Sequence, residues 1–152
     1  MDNKFHTGQI IANSQKLKHD LPILIANQAQ RFFENSFQIQ GWDDSSVKNW
    51  KEVNRRIGGT TEYKYPKTKG LSRQTSPILV RTGKLRRAVS NMIRSKTFES
   101  IKLVCAIPYA SYHNEGTDKI PKRQFMGDSK DLRKAQRILI DNQIDKVFHG
   151  RN

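Results

Sequence analysis

The sequence predicts an α+β fold, with a β-hairpin or small antiparallel sheet packed by long helices near the two ends of the chain. Apolar side chains recur at steps of three and four between about residues 14 and 40, and again between 129 and 148, as in amphipathic helices. Two β-like runs, 88–97 and 101–107, are separated by three residues and therefore predict a hairpin. A length of 152 residues suits a single domain spanning residues 1–152.

Pro22 interrupts the helical pattern of the N-terminal segment. Proline has no backbone N–H, so it is tolerated in the first turn of a helix and bends a helix further in. Either the helix begins at Asp20, which is a good N-cap, or it kinks at Pro22. Gly41 is a typical residue for the end of such a helix. The aromatic side chains near this end are expected in the core: Phe32, Phe33, Phe37 and Trp42.

Periodicity fades between residues 43 and 76, where we expect a long basic loop that projects from the domain. The segment carries glycines, prolines and many lysine, arginine, threonine and serine residues. Loops of this length inside compact domains are usually functional or disordered. Trp50 is expected to hold the first part of the loop against the core, and residues 60–65 are expected to form a short strand or hairpin arm.

A short helix is predicted after the apolar residues 78–80. Thr82 is a candidate cap for a helix that begins near Gly83, with Leu85 pointing inward and the neighbouring cations mostly outward. In the hairpin that follows, Cys105 is expected in the second strand as a small buried hydrophobic residue. Because it is the only cysteine, an internal disulfide is excluded, which agrees with a reducing compartment.

Residues 109–116 predict a short helical turn after the hairpin. Gly116 lacks a Cβ and therefore permits the positive φ that ends such a turn. Tyr109 and Tyr112 are three residues apart, so we expect them to share one buried side of it.

A loop at residues 120–127 leads into the last helix. Phe125 and Met126 are expected to anchor this loop on the hairpin. Asp128 or Ser129 is the expected N-cap, because short polar side chains accept hydrogen bonds from the free N–H groups of a first turn.

Positive charge is concentrated in the middle of the chain. The 28 Lys and Arg residues exceed the 14 Asp and Glu residues by 14, and 15 basic against three acidic residues fall between 46 and 102. Such a surface is simply solvated or attracts nucleic acid, an anionic membrane or an acidic protein. The candidate residues for a protein or DNA interface are Arg55, Arg56, Lys64, Lys67, Lys69, Arg73, Arg81, Lys84, Arg86 and Arg87.

The residues predict no assembled reaction centre. The four histidines are scattered, one cysteine cannot build a thiolate zinc site, and Gly58-Gly59 lacks the lysine and hydroxyl of a phosphate-binding loop. His113 and Glu115 are two residues apart and would not face the same way on a helix. We therefore expect no enzyme activity, cofactor, metal or small-molecule substrate. No apolar run approaches the ~20 residues that span a bilayer, so we expect a soluble protein made in the cytoplasm.

Three blocks of residues, taken in order, resemble a known family. They are 79–85 (Leu-Val-Arg-Thr-Gly-Lys-Leu), 109–116 (Tyr-Ala-Ser-Tyr-His-Asn-Glu-Gly) and 120–127 (Ile-Pro-Lys-Arg-Gln-Phe-Met-Gly). A leading helix with Leu-Pro and paired phenylalanines precedes them, and a terminal helix follows. This order resembles the phage virion morphogenesis family, the tail-completion proteins of contractile-tailed phages such as Mu, and more loosely the tail-component proteins of lambda-like phages. The resemblance covers roughly residues 17–148.

The resemblance implies a structural role at the tail end that meets the head. It implies a ring of copies in contact with tail-tube, terminator or neck proteins, located in the virion tail and in the host cytoplasm during assembly. The resemblance implies neither a cofactor nor a catalytic residue. The middle of this chain is more basic than the family leads us to expect, so DNA in the lumen of the ring and an acidic tail protein are both candidate partners. Non-specific nucleic-acid binding is the alternative function.

Overall fold

The computed structural model describes residues 7–65 and 72–149 and confirms the α+β prediction. The helices are α1 (Thr7–Ile39), α2 (Thr61–Lys64), α3 (Ser72–Thr75), α4 (Lys84–Ser90), α5 (Ala110–Glu115) and α6 (Lys130–His149). The strands are β1 (Gly41–Asp43), β2 (Val47–Asn49), β3 (Ile93–Lys96) and β4 (Ile101–Val104), and a 3₁₀ turn spans Asn54–Arg56. Strands β1 and β2 form one antiparallel hairpin and β3 and β4 another. The long helix α1 packs against α6, α4, β1 and the second hairpin.

Helix α1 begins well before Asp20 and runs through Pro22. Of the two alternatives, a start at Asp20 is therefore wrong. A proline inside a helix removes one backbone hydrogen bond. Burial of this part of α1 offsets that loss, because Leu21, Pro22 and Ala26 are all buried. The helix ends at Ile39, next to the predicted stop at Gly41.

The predicted aromatic cluster forms the centre of the core. Phe33, Phe37 and Trp42 are buried, and Phe32 packs against them. The ring of Phe37 lies 5.6 Å from Trp50 and 5.4 Å from Phe125, measured between centroids. These rings join α1 to the segment after β2 and to the loop before α6, so one apolar cluster holds three distant parts of the chain.

The segment 43–76 contains short elements where a long loop was predicted. Trp50 is buried as expected, and its indole N–H donates to the carbonyl of Gln124 at 2.7 Å. The predicted strand or hairpin arm at 60–65 is wrong, because residues 61–64 form helix α2. Thr60 caps this helix by accepting a hydrogen bond from the N–H of Tyr63, a local contact that a strand does not allow.

In the region from 84 to 107, the boundary between helix α4 and the hairpin lies further along the chain than predicted. Ala88 lies in α4, so the first β-like run begins as a helix and becomes β3 only at Ile93. The hairpin itself is confirmed, with Ile93 opposite Val104. Cys105 lies one residue beyond β4 and is half-buried, so its predicted place inside the strand is wrong. Burial of Val89 and Leu85 explains the shift, since both are core residues at helical spacing.

Helix α5 ends at Gly116 as predicted, with φ of 83°. The expectation that Tyr109 and Tyr112 share a buried side is wrong, because their exposed fractions are 39% and 55%. Ala110 is the buried residue of this helix, and its small side chain allows close packing while both tyrosines reach solvent.

The loop at 120–127 is anchored in the core. Phe125 is fully buried and packs on Phe37 of α1, while Met126 is half-buried against the same cluster. The predicted anchoring residues are therefore right, and Leu103 of the second hairpin packs against the same cluster. An aromatic cluster at the end of α1 buries more of a phenylalanine ring than a two-stranded hairpin does.

Ser129 is the residue that caps α6. Its hydroxyl accepts from the N–H of Leu132 at 3.3 Å and donates to the carbonyl of Asp43 at 2.7 Å. Asp44 accepts from the N–H of Lys130 at 2.9 Å, and this hydrogen bond holds the pKa of Asp44 below its usual range. The turn between β1 and β2 is thus bonded to the first turn of α6.

We expect Ser129→Ala to lower the free energy of unfolding by about 1–2 kcal/mol, because it removes a helix cap and leaves the Asp43 carbonyl without its donor. Urea unfolding followed by circular dichroism measures the change. Ser111→Ala, at an exposed position of α5, is the matched control and should change stability by less than about 0.5 kcal/mol. Equal effects of the two substitutions would contradict the capping role.

A basic cleft as the candidate functional site

The predicted interface residues divide into structural and exposed cations. Arg55 is half-buried, and its guanidinium donates to the carbonyls of Ser76 and Pro77, both at 2.9 Å. Arg56 is also half-buried, donating to the side-chain oxygen of Gln40 at 3.1 Å and lying 3.5 Å from the Glu52 carboxylate. Arg56 thus ties the segment 43–76 to the end of α1, and Arg55 ties its middle to its last residue, neither of which the sequence predicts.

The other predicted cations are mainly exposed. Arg81 lies just before α4, and Lys84, Arg86 and Arg87 are exposed along this helix. Lys64 is exposed at the end of α2. Of the remaining predicted residues, Lys67 and Lys69 lie outside the described part of the chain, and Arg73 belongs to α3.

Four cationic side chains line a cleft of about 490 Å³, which we call the basic cleft: Arg55, Arg81, Lys84 and Arg123. No Asp or Glu is among the described residues that line it. The structure thus brings three of the predicted residues together and adds Arg123. Charges of one sign around a concave surface reinforce one another, so the cleft attracts anions.

Arg123 is fixed by hydrogen bonds to backbone. The residue is 6% exposed, and its guanidinium donates to the carbonyls of Lys51 at 2.9 Å and Glu52 at 3.2 Å. Burial lowers the pKa of Arg123, while the Glu52 carboxylate raises it. The guanidinium remains charged at neutral pH because its usual pKa is far above 7. Arg123 was missed as a site residue, although the block 120–127 that contains it was singled out.

His113 lies between Arg123 and Tyr109 at the wall of the cleft. Its Nδ1 is buried and has no hydrogen-bond partner within the part of the chain that the structure describes. Burial lowers the pKa of His113 below its usual 6.5, and the Arg123 guanidinium lowers it further. The imidazole is therefore neutral at pH 7.

The lowered pKa of His113 predicts a loss of stability in mild acid. Below about pH 6.5 the unfolded chain protonates this histidine, whereas the folded chain resists the proton until pH reaches its lower folded-state pKa. Stability contributed by the neutral imidazole is therefore complete above about pH 6.5 and falls as pH is lowered toward the folded-state pKa. We expect urea midpoints at about pH 7.5 and 5.5 to differ less in His113→Gln than in the unmodified chain. An unchanged difference would contradict the assignment.

Apolar side chains complete the walls of the basic cleft: Val53, Leu79, Leu85 and the ring of Tyr109. Leu79 has a φ of 60°, which is strained for a residue with a Cβ. The N–H of the neighbouring Ile78 donates to the Gln40 side chain at 2.9 Å and so helps to fix this turn. The cleft therefore offers both charge and apolar surface.

A second, larger cleft of about 760 Å³ shares a wall with the basic cleft. The shared residues are Val53, Arg55, Arg81, His113 and Arg123. The larger cleft is also lined by the carboxylates of Glu52 and Glu62, so its charge is mixed. The basic cleft differs from the larger one in having no carboxylate among the described residues that line it.

Side-chain amides that the sequence did not reveal hold the walls in place. The side-chain oxygen of Asn114 accepts from the N–H groups of Phe125 and Met126, both at 2.9 Å. The N–H of Arg123 donates to the carbonyl of His113 at 2.7 Å. Block 120–127 is therefore bonded directly to α5, and no periodic pattern of the sequence carries that information.

Within residues 7–65 and 72–149, no group of three or more His, Cys, Asp or Glu residues is arranged to hold a metal ion. The helices in these ranges also include none that is long and apolar enough to cross a membrane. Comparison with protein-family models, curated protein sequences and solved structures gave no match to this chain.

Proposed function

We propose that this chain is a tail-completion protein of a bacteriophage or prophage. In this proposal it is a structural, non-enzymatic subunit that associates into a ring and contacts tail or neck proteins. It works in the virion tail after assembly in the host cytoplasm. It needs no cofactor, membrane or small-molecule substrate.

The proposal is supported by the convergence of the three blocks that carry the family resemblance. Residues from 79–85, 109–116 and 120–127 lie together around the basic cleft. The first block is separated from the second by 23 residues, and the second from the third by three. Hydrogen bonds join the second block to the third, and shared core contacts join the first block to both. The blocks therefore behave as one structural feature rather than as three short coincidences of sequence.

Association into a ring needs exposed surface on the single chain, and the chain has it. Exposed apolar side chains occur on both long helices and on the second hairpin: Ile11, Ile93, Phe98, Val104, Ile138 and Phe148. The edges of a two-stranded sheet also leave backbone groups available for another chain. A head-to-tail contact closes into a ring when its rotation permits.

Native mass spectrometry and sedimentation velocity test the proposal with the full chain at tens of micromolar, alone and mixed with purified tail-tube, terminator and neck proteins. We expect a closed oligomer of one size, formed by the chain alone or on addition of one partner. A strict monomer that binds none of these proteins would overturn the proposal.

Salt separates this function from non-specific nucleic-acid binding, which the exposed cations of α4 favour. Binding to DNA through 6–10 phosphates should weaken by about 10³–10⁵ between 50 and 200 mM salt. A largely apolar contact between subunits should change little over the same range. DNA binding with this steep dependence and no oligomer would support the alternative instead.

A further inference from the structure

The basic cleft carries two exposed cations in addition to Arg55 and Arg123, which are fixed by hydrogen bonds to backbone carbonyls. Arg81 and Lys84 are exposed, and neither has an ion-pair partner among residues 7–65 and 72–149. Guanidinium and ammonium groups placed together favour an anion between them.

His113 adds a polar atom that also lacks a partner. Its Nδ1 is buried at the wall of the cleft with no hydrogen-bond partner in the described structure. Buried polar atoms in folded proteins are nearly always hydrogen-bonded, so a bound group or an ordered water is expected beside this atom. A neutral imidazole with its proton on Nδ1 donates a hydrogen bond to an anionic oxygen.

The apolar walls indicate what kind of molecule carries the anion. Leu79, Leu85 and Tyr109 line the same cleft as the cations. A DNA duplex presents phosphates on a polar backbone and would leave these walls uncovered. A protein segment in which an acidic residue stands beside an apolar one satisfies both parts of the cleft.

We propose that the basic cleft binds an acidic segment of a neighbouring protein. The carboxylate lies between Arg81 and Lys84 within reach of His113, and an adjacent apolar side chain covers Leu79 and Tyr109. This inference rests on the proposed assembly role, since a tail or neck protein supplies the segment. Another copy of this chain has a net charge of +14 and complements the cleft less well. In this inference the neighbouring protein binds this chain through the basic cleft.

Short peptides test the chemistry of the cleft directly. The probes are N-acetyl-Leu-Glu-Leu-amide, its Gln counterpart, and N-acetyl-Leu-Leu with a free carboxylate, each titrated into the full chain. Nitrogen-15 NMR follows the His113 imidazole and the arginine side chains. We expect the Glu peptide to shift the His113 and Arg81 signals and to bind at least about tenfold more tightly than the Gln peptide. Binding of the free-carboxylate dipeptide as tight as that of the Glu peptide would overturn the inference, because the cleft would then recognise a chain terminus and not an acidic segment.

Arg81→Gln should weaken the Glu peptide about tenfold, because it removes an exposed charged donor without disturbing the core. Arg86→Gln is the matched control, because Arg86 is also exposed but does not line the basic cleft. This variant should bind the Glu peptide within about twofold of the unmodified chain. Equal binding of the Glu and Gln peptides, or an unchanged affinity in Arg81→Gln, would overturn the inference. So would a short DNA duplex that displaces the Glu peptide from the cleft.

Different measurements test the proposed assembly role and the proposed binding of an acidic segment by the basic cleft. Peptide binding is measured on the single chain and does not require a ring. A chain that binds the Glu peptide but never assembles supports the cleft chemistry and overturns the assembly role. A chain that assembles equally well as Arg81→Gln, with no peptide binding, overturns the cleft chemistry alone.

Discussion

Phe125→Ala is expected to lower the free energy of unfolding by about 3–5 kcal/mol. The side chain is fully buried, and its ring centroid lies 5.4 Å from that of Phe37. Truncation removes apolar contacts and leaves a cavity where the end of α1 meets the loop before α6. Since domains are stable by only about 5–15 kcal/mol, this change removes a large part of the total. Urea unfolding followed by circular dichroism measures it.

Phe98→Ala provides the matched control for this prediction. Phe98 lies between β3 and β4 and is 58% exposed, so the same truncation there should cost less than about 0.5 kcal/mol. If the two variants unfold at the same urea concentration, the placement of Phe125 at the centre of the core is wrong.

The long elements were predictable because their signal is repeated over many residues. In α1 and α6 the apolar positions recur through several turns, and no local alternative satisfies that spacing. The aromatic residues at the end of α1 were also predictable as core, since Phe37 and Trp42 have no polar group that needs solvent beyond one indole N–H. The apolar pattern from about residue 14 allowed a helix that continues through Pro22, but the sequence left a start at Asp20 as an equal alternative, because the cost of an internal proline depends on packing.

The short elements were decided by contacts that a sequence pattern does not contain. Residues 61–64 have strand-like composition, yet Thr60 caps them as a helix. Ala88 belongs to α4 because Leu85 and Val89 enter the core together. In such segments of four to seven residues, propensity is a weak preference that tertiary packing overrides.

The candidate site was predictable in its charge and not in its geometry. Composition identified Arg81 and Lys84 as cations near one another in sequence. Their meeting with His113 and Arg123 depends on hydrogen bonds across the fold, such as that from the Arg123 N–H to the His113 carbonyl. A single sequence carries no periodic signal for a pairing of this kind.

Gly116→Ala is expected to destabilise the fold by at least about 2 kcal/mol and to displace the wall of the basic cleft. Gly116 has φ of 83° and ψ of 169°, a conformation that residues with a Cβ rarely adopt. An added Cβ would also lie 2.9 Å from the backbone nitrogen of Lys122. Since Arg123 follows Lys122, the clash must move either α5 or the loop that carries this arginine.

Gly58→Ala is the control for this second prediction, because a Cβ at Gly58 meets nothing within 4 Å and its φ is not in the left-handed region. It should be neutral or slightly stabilising, since alanine restricts the unfolded chain more than glycine does. Urea unfolding compares the two variants, and NMR of the Arg123 side chain reports whether the cleft moves.

Because the strain at Gly116 lies in the backbone, a second substitution, Lys122→Ala, should not restore the stability that Gly116→Ala loses. Full rescue by that second change would mean that the clash involves the side chain and not the backbone.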